Sequence, residues 1–313
     1  MDGADPQETS LDTLLTALSW VLSIAGRSDI RLGGLPCPMH EFMFATGIEC
    51  SYPTIEGGRW RHDQLADTKH YRYWRRDLEL VRELGLKYLR YGPPFHLMYL
   101  GEDKYQWSFM DQVADAMKQL GIVPIMDLCH FGVPYWIGNF QNTDFPRLFA
   151  QYAGAFARRY HWVRLFTPIN EMYVTARMSA LEGVWNEQLR SERAFVNATR
   201  NVALASVLAM QAIQRERPDA VFINSESSEF YQPCCPDREI VRIADFENQR
   251  RFISMDLIYG VPLRDDIRDY LFTNGMSRDE YAWFMNQGQQ WKGGKPRRAV
   301  RLVCHYEAVL RAL

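Results

Sequence analysis

Hydrophobic and polar positions along residues 42–227 fall into two kinds of segment. Five short runs are almost continuously apolar, and the longer segments between them carry apolar residues at spacings of three and four. Continuous apolar runs are typical of parallel strands that are buried on both faces, whereas the three-four spacing predicts amphipathic helices. The pattern therefore predicts repeated βα units and an α/β fold.

The boundaries of these elements follow from the apolar runs and from the residues that interrupt them. Gly85 and Gly121 end the first two helices, as glycine commonly does at a helix C-terminus. The predicted strands are 42–48, 87–92, 122–131, 163–170 and 220–227. The predicted helices are 66–85, 108–120, 143–159 and 187–216.

Two architectures fit this order of elements, a doubly wound open sheet and a TIM (β/α)8-type barrel. The nucleotide-binding open sheet carries a Gly-rich phosphate loop after its first strand, and this sequence does not. A barrel predicts that polar and ionisable residues gather at the C-terminal ends of its strands. Each predicted strand ends in such residues: Glu49 and Ser51, Arg90 and Tyr91, Asp127 and His130, Asn170 and Glu171, and finally Asn224, Glu226 and Glu229. The sequence therefore favours the barrel.

Composition and charge exclude some classes of function. The chain has 313 residues, of which 47% are hydrophobic, so it can bury a barrel-sized core. Its 36 basic and 38 acidic residues give a net charge of -2, which provides no electrostatic footprint for nucleic acid. The apolar stretch 14–26 is too short to span a bilayer and follows acidic residues. We expect an amphipathic N-terminal helix there, with no signal peptide and no membrane contact.

The cysteines bear on metal binding and on the cellular compartment. They lie at positions 37, 50, 129, 234, 235 and 304. This distribution has neither the short paired spacing of a zinc site nor the density of a disulfide scaffold. We therefore expect reduced thiols in a cytoplasmic protein, without a structural metal or a cofactor.

The residues at the strand ends are suited to acid-base chemistry on a polar, neutral substrate. In glycoside hydrolysis one carboxylic acid protonates the leaving oxygen, while a second carboxylate attacks the anomeric carbon or activates water. Glu171 is the candidate acid/base, and Asn170 beside it can donate to a sugar hydroxyl. Arg90 can keep a second carboxylate ionised, and His130 can bind hydroxyl groups. The alternatives are a structural ion pair for Arg90 and a satisfied histidine at the rim for His130.

Four segments resemble glycoside hydrolase family 1, the β-glucosidases and β-galactosidases of the retaining (β/α)8 clan. "TPINE" at 167–171 is similar to that family's Thr-x-Asn-Glu motif on strand four, and "LCHFGVPYWI" at 128–137 to its His-x-x-x-Pro-x-Trp segment. "YLRYG" at 88–92 resembles the strand-two segment, and "FMFATGIECSYPTIEGG" at 42–58 resembles the opening strand and the element after it. The resemblance covers about residues 41–270.

The resemblance implies roles for individual residues. Glu171 matches the general acid/base, and Asn170 matches the residue that contacts the sugar 2-hydroxyl. His130 matches a residue of the glycone subsite, and Arg90 matches the arginine that supports the nucleophile. The resemblance thus implies a β-glycosidase that acts on small β-galactosides or β-glucosides. The alternative is a carbohydrate-binding or scaffold protein that has kept the barrel and lost catalysis.

Two departures from the family pattern concern substrate binding and the nucleophile. Pro53 and Thr54 stand where the family carries a sugar-binding Gln, and Glu49 could substitute for it. The family's nucleophile lies in an Ile/Val-Thr-Glu-Asn-Gly motif on strand seven, which this sequence lacks.

Three options remain for the second carboxylate. Glu226 or Glu229 at the end of strand five could attack or activate water. Glu307, after the strand-like "AVRLVCHY", could occupy a substitute position. The third option is that the protein only binds sugar. Because sugars stack on aromatic rings, Trp136 is a candidate platform, and Tyr231 is a further candidate contact.

The predicted organisation has three parts. Residues 1–40 form an N-terminal helical extension, 41–290 form the glycosidase-like barrel domain, and 291–313 form a divergent basic tail. The barrel is expected to be incomplete, ending after about strand five or six. Open sheet edges expose unpaired N–H and C=O groups, so we expect a homo-oligomer that covers them.

Overall fold

A computed structural model describes residues 44–227, 229–292 and 299–304. The predicted N-terminal helix at 14–26 and Glu307 lie outside the described residues. Within the described part of the chain, no helix is both long and apolar enough to cross a membrane.

The centre of the fold is a six-stranded parallel sheet. Its strands are β1 (Ala45–Ile48), β2 (Tyr88–Tyr91), β3 (Val123–Asp127), β4 (Leu165–Thr167), β5 (Val221–Ser227) and β6 (Ala299–Cys304). Their order in the sheet is their order along the chain, and every neighbouring pair is parallel. A doubly wound sheet would reverse its order at a switch point. The observed order is that of an incomplete TIM-type barrel, as the sequence predicted.

Helices and short hairpins connect the strands. The longer helices are α1 (His70–Glu83), α2 (Ser108–Leu120), α3 (Phe145–Arg159), α4 (Glu192–Glu216), α5 (Arg238–Arg250), α6 (Ile253–Tyr259), α7 (Asp265–Thr273) and α8 (Arg278–Lys292). Single helical turns cover Gln64–Asp67, Phe95–Met98 and Met172–Ala176, and the last continues as a π-helix over Arg177–Leu181. One hairpin joins Thr54–Ile55 to Trp60–Arg61, and another joins Tyr99–Gly101 to Lys104–Tyr105.

Local backbone chemistry explains where the helices differ from the sequence pattern. The predicted helix 66–85 is divided, because Lys69 adopts a left-handed conformation with φ 60° between the single turn and α1. The predicted helix 187–216 begins later, at Glu192, where the Ser191 side chain accepts from the Ala194 amide as an N-cap. The helix predicted at 108–120 has those bounds.

The core lies between the sheet and its helices. At Gly154, α3 packs against α4, and a Cβ there would meet Ala212 at an ordinary contact distance of 3.4 Å. In the core, the Phe95 ring stacks on the rings of Tyr99 and Tyr152, and the two tyrosine rings are tilted by 31° to each other.

The strand β6 lies inside the stretch that the sequence assigned to a divergent tail. It pairs with β5 over its whole length, from Ala299 opposite Phe222 to Cys304 opposite Ser227. The strand-like character of "AVRLVCHY" is therefore confirmed for this segment.

Candidate active site

The C-terminal ends of β1 to β4 lie level with one another. Ile48 is opposite Tyr91, and Tyr91 is opposite Met126. Asp127 is in turn opposite Thr167. Residues that immediately follow these positions are consequently brought to one rim, although they are far apart in the sequence.

Arg90 is the centre of a hydrogen-bonded cluster at this rim. Its Nη2 donates to Asn170 Oδ1 at 2.7 Å and to Ser225 Oγ at 3.1 Å. The same nitrogen lies 3.0 Å from Asp127 Oδ2, and Nη1 donates to Glu49 Oε1 at 2.5 Å. The guanidinium group is buried, so these carboxylates offset much of the cost of removing its charge from water.

Asp127 also orients His130. Its Oδ2 is 2.5 Å from His130 Nδ1, and both side chains are buried. Because Nδ1 faces a carboxylate, it is the nitrogen that donates to Asp127. Nε2 lies 3.4 Å from the side-chain nitrogen of Asn170. The amide orientation of Asn170 is thereby fixed, since its oxygen accepts from Arg90 and Ser225.

Glu171 follows this cluster in a strained backbone conformation. Its φ of 40° is left-handed, which costs a residue with a Cβ about 1–3 kcal/mol. Two backbone hydrogen bonds hold it there, from the Glu171 amide to Ser225 O at 3.1 Å and from the Thr175 amide to Glu171 O at 2.8 Å. The strain turns the chain from the end of β4 directly into the helical turn Met172–Ala176.

The side chain of Glu171 is in a suitable state to carry a proton. Burial raises the pKa of its carboxyl group above the ordinary value, and the charges of His130 and Arg90 lower it only in part. The charges of Glu229 and Asp127 raise this pKa further. These effects show that the Glu171 carboxyl lies in the electrostatic field of the cluster.

Glu226 has a different environment, between β5 and the helices. Its Oε2 accepts from the Tyr173 amide at 3.0 Å and from Ser254 Oγ of α6 at 3.4 Å. Burial raises the pKa of this carboxyl group to about 8, with a further increase from the charge of Glu171. Glu226 is therefore expected to be neutral at pH 7, and it stabilises the helical turn that follows Glu171.

Glu229 and Tyr231 lie in the loop after β5. The Ser227 hydroxyl donates to Glu229 Oε2 at 2.6 Å, and the Glu229 side chain is only half-buried. The charge of Glu229 raises the pKa values of both Glu171 and Glu226. Tyr231 is buried, with its ring 5.7 Å from the Arg177 guanidinium group.

The structure does not bring every candidate into the hydrogen-bonded cluster. Glu49 is part of it through Arg90. Trp136 contacts the second hairpin instead: its indole N–H donates to Tyr99 O at 2.7 Å, and the two rings meet edge to face. The ring is 37% exposed there. Its role as a sugar platform stays a prediction, and Tyr99 is the neighbour that determines its orientation.

Sequence reasoning underestimated two members of the cluster. Asp127 was recognised only as a polar strand end, yet it bridges Arg90 and His130. Ser225 was not singled out, although its hydroxyl donates to Asn170 and accepts from Arg90. The alternation of side chains along a strand could have indicated Ser225. Its side chain points to the opposite face of β5 from those of its neighbours Asn224 and Glu226.

The described cluster contains acid-base groups and hydrogen-bonding groups but no set of metal ligands. In the part of the chain that the structure describes, no group of three or more His, Cys, Asp or Glu side chains is placed to hold a metal ion. A buried carboxyl group with a raised pKa can transfer a proton near neutral pH. The arrangement can therefore protonate a leaving group on a polar substrate.

Comparison with known proteins identifies related chains. The model of glycosyl hydrolase family 1 matches residues 54–257. Beta-glucosidase A of Thermotoga maritima is 22% identical over 188 residues, which are 58% of this chain and 42% of that protein. The 6-phospho-beta-glucosidase AscB of Escherichia coli is 22% identical over 233 residues, 70% of this chain and 48% of that protein. The chain thus spans less than half the length of these relatives.

A solved structure shares the fold. The beta-glucosidase from Thermotoga maritima in complex with deoxynojirimycin superposes with a TM-score of 0.67 and 18% sequence identity. The match covers 79% of this chain and 62% of that one. At this identity the likeness concerns the barrel architecture.

Proposed function

The chain belongs to glycosyl hydrolase family 1, and on this premise we propose that it hydrolyses β-linked glucosides or galactosides with Glu171 as the acid/base. The observation that carries the proposal is the position of Glu171, buried at the end of β4 beside Arg90 and His130. A general acid must hold its proton near the working pH, and burial raises the pKa of Glu171 in that direction.

The neighbours of Glu171 are suited to binding a sugar. Asn170 and His130 have their orientations determined by Arg90 and Asp127, so their donors and acceptors are organised before substrate arrives. Pre-organised polar groups lose little entropy when they bind hydroxyl groups. The relatives are a beta-glucosidase and a 6-phospho-beta-glucosidase, which favours glucosides over galactosides as the first substrates to test.

For the second carboxylate, Glu229 is the better of the two candidates on β5 and its loop. An attacking or water-activating carboxylate must be ionised. Glu226 is fully buried and bound to the Tyr173 amide, and its pKa is raised to about 8. Glu229 is half-buried, and its charge acts on Glu171. We therefore propose Glu229 as the base and Glu226 as a residue that positions Glu171.

A matched pair of variants tests the role of Glu171. For Glu171→Gln we expect turnover of phenyl β-glucoside to fall about 10²–10⁴-fold, because general acid catalysis contributes that much. Turnover of 2,4-dinitrophenyl β-glucoside should fall less, since this leaving group departs without protonation. Initial rates on both substrates, together with melting temperatures, provide the measurement.

Glu79→Gln is the control, because Glu79 is a partly exposed acid on α1 whose ion-pair partner is Arg76 of the same helix. It should leave both rates and the melting temperature unchanged. Unchanged turnover of phenyl β-glucoside by Glu171→Gln would exclude Glu171 as the acid.

The second candidate function is carbohydrate binding without turnover. The specific observation in its favour is that the sequence lacks the family's strand-seven nucleophile motif. Saturable binding of deoxynojirimycin by the wild-type chain, with no hydrolysis of either aryl glucoside, would support this alternative over the enzyme.

We also propose that a second copy of the chain covers the β1 edge and that the protein is cytoplasmic. Among the described strands β1 pairs on one side only, with β2. A cavity of about 300 Å³ opens beside it, lined by Glu49, His70 and Asp77 among others. The cytoplasmic location is supported by free thiols at Cys50, Cys129, Cys234 and Cys235.

A further inference from the structure

The loop between β5 and α5 carries two adjacent cysteines, Cys234 and Cys235. Both are exposed free thiols, whereas Cys50 and Cys129 are buried. Burial also raises the pKa values of Cys50 and Cys129, which disfavours their reactive thiolates. Among the cysteines whose side chains the structure describes, the adjacent pair is thus the accessible one.

The loop is fixed on both sides of the pair. On one side the Tyr231 amide donates to Asn248 Oδ1, and the Asn248 side-chain N–H donates back to Tyr231 O, both at 2.8 Å. On the other side Asp237 caps α5, accepting from the Glu239 amide at 2.9 Å and the Ile240 amide at 3.2 Å. The thiols are therefore presented on a short segment whose ends do not move freely.

Proline residues further restrict the segment. Pro233 precedes the pair and Pro236 follows it. Proline fixes its own φ near -65° and biases the residue before it towards extended conformations. The neighbouring Cys235 thiol raises the pKa of Cys234 above its ordinary value. Two thiols on neighbouring residues of such a restricted segment can both reach one ligand atom.

The geometry disfavours a direct disulfide between these sulfurs. Consecutive Cα atoms across a trans peptide are about 3.8 Å apart. An unstrained disulfide joins Cα atoms about 4.4–6.8 Å apart, so a bond between neighbours is strained and easily reduced. A third atom placed between the sulfurs removes this constraint, because each sulfur then bonds to that atom.

The number of available ligands indicates which atom fits. Within residues 44–227, 229–292 and 299–304, no group of three or more His, Cys, Asp or Glu side chains could hold a metal ion. Zinc, which usually takes three or four protein ligands, is therefore poorly matched to the pair. A thiophilic centre that needs only two sulfurs from the protein is well matched.

We propose that Cys234 and Cys235 form a dithiol site for a trivalent arsenical. With phenylarsine oxide as the reactant, both S–H bonds break and two As–S bonds form. The arsenic-bound oxygen leaves with the two protons as one water molecule. Arsenic stays trivalent and neither sulfur is oxidised, so no further reactant is needed. The site does not depend on the proposed glycosidase activity.

Titration of the reduced full-length chain with phenylarsine oxide tests the site. Intact mass should show one arsenical bound with loss of one water, and a chromogenic disulfide should count two fewer thiols. Cys234→Ser and Cys235→Ser should each weaken binding about 100-fold, because closing the second As–S bond is intramolecular. The variants Cys37→Ser and Cys304→Ser should bind as the wild type does.

Two results would overturn the proposal. One is equal affinity of the wild type and Cys234→Ser, which would mean that the thiols do not act as a pair. The other is a disulfide between Cys234 and Cys235 that survives glutathione, which would contradict the strain argument. Circular dichroism of both serine variants shows whether a lost affinity reflects misfolding.

Discussion

Ser225 and Glu226 are adjacent on β5, but their side chains point to opposite faces of the strand and make different contacts. Ser225 points towards Arg90 and Asn170, whereas Glu226 contacts the Tyr173 amide and Ser254 of α6. Successive side chains on a strand point to opposite faces. Glu226 thus supports the backbone after Glu171 from the helix side, and Ser225 completes the polar cluster at the rim.

The raised pKa of Glu226 predicts a pH dependence of stability. Its carboxyl has a pKa of about 8 in the folded chain and an ordinary value of 4.5. Between these values the unfolded chain releases the proton while the folded chain keeps it. The free energy of unfolding should therefore fall as pH rises from about 4.5 to 8, by up to about 1.4 kcal/mol per pH unit from this residue.

Glu226→Gln should remove this contribution, because glutamine does not ionise and its oxygen can still accept from Tyr173. Urea unfolding at several pH values gives the slopes for the variant and the wild type. Glu79→Gln, which changes a partly exposed acid on α1, should retain the wild-type slope. An equal slope in Glu226→Gln would contradict the assigned pKa.

At the scale of elements, the loops after β1 and β3 contact each other at the rim. The Tyr52 amide donates to His130 O at 3.1 Å, and Ser51 forms a parallel bridge with His130. Gly132 lies against the same loop, since a Cβ there would be 1.7 Å from Tyr52 O. The backbone of His130 is consequently positioned by a contact that only glycine permits at residue 132.

Gly132→Ala should destabilise the protein by at least about 1–3 kcal/mol, because the added methyl group must displace backbone rather than a flexible side chain. It should also weaken sugar binding if His130 moves with the loop. Gly154→Ala in α3 is the matched control, since its Cβ would meet Ala212 at an ordinary 3.4 Å. Chemical denaturation of both variants measures the difference, and equal stabilities would argue against the loop contact.

At the scale of the whole molecule, the β1 side of the sheet is the region that the proposed oligomer would cover. Two apolar side chains near it are exposed: Phe44, which directly precedes β1, by 64%, and Leu80, which lines the cavity beside β1, by 42%. Ala45 on β1 itself is also exposed. Edge strands with exposed apolar neighbours tend to associate, and charged residues on the strand prevent this.

Sedimentation velocity of the wild type should show a species larger than a monomer at micromolar concentration. Ala45→Lys should shift it towards monomer, because a buried lysine at the strand edge would lose its hydration. Ala282→Lys, at an exposed position on α8, should not change the distribution. A stable monomeric wild type would exclude the proposed oligomer.

Much of the fold could be predicted because the burial of a strand determines the residue types along that strand. A strand that is covered on both faces must be apolar along its length, and the five predicted strands show this signature. The boundaries were less accurate where one residue decided them. Lys69 interrupts a continuous helical pattern with a left-handed φ, and Ser191 begins α4 by accepting from Ala194. Both are effects of a single backbone conformation or cap, which periodicity does not record.

The candidate site was predictable in part, because residues at the C-terminal ends of parallel strands necessarily approach one another. Arg90, His130, Asn170 and Glu171 were predicted on this basis, and the structure brings them together with Asp127. The contacts of Trp136 could not be predicted in this way. Its position after β3 suggested a place near the substrate, but the acceptor for its N–H is Tyr99, on a hairpin that sequence spacing does not locate.

The sequence by itself determined the βα order, the family and the position of Glu171, because these depend on apolar runs and on motifs that are local in the chain. Only the tertiary structure decided the environment of each carboxyl group. Burial and hydrogen bonding set the pKa of Glu226 and the orientation of His130, and both depend on atoms contributed by other strands and helices. Solvation is a property of the packed molecule, so it cannot be obtained from the residue types alone.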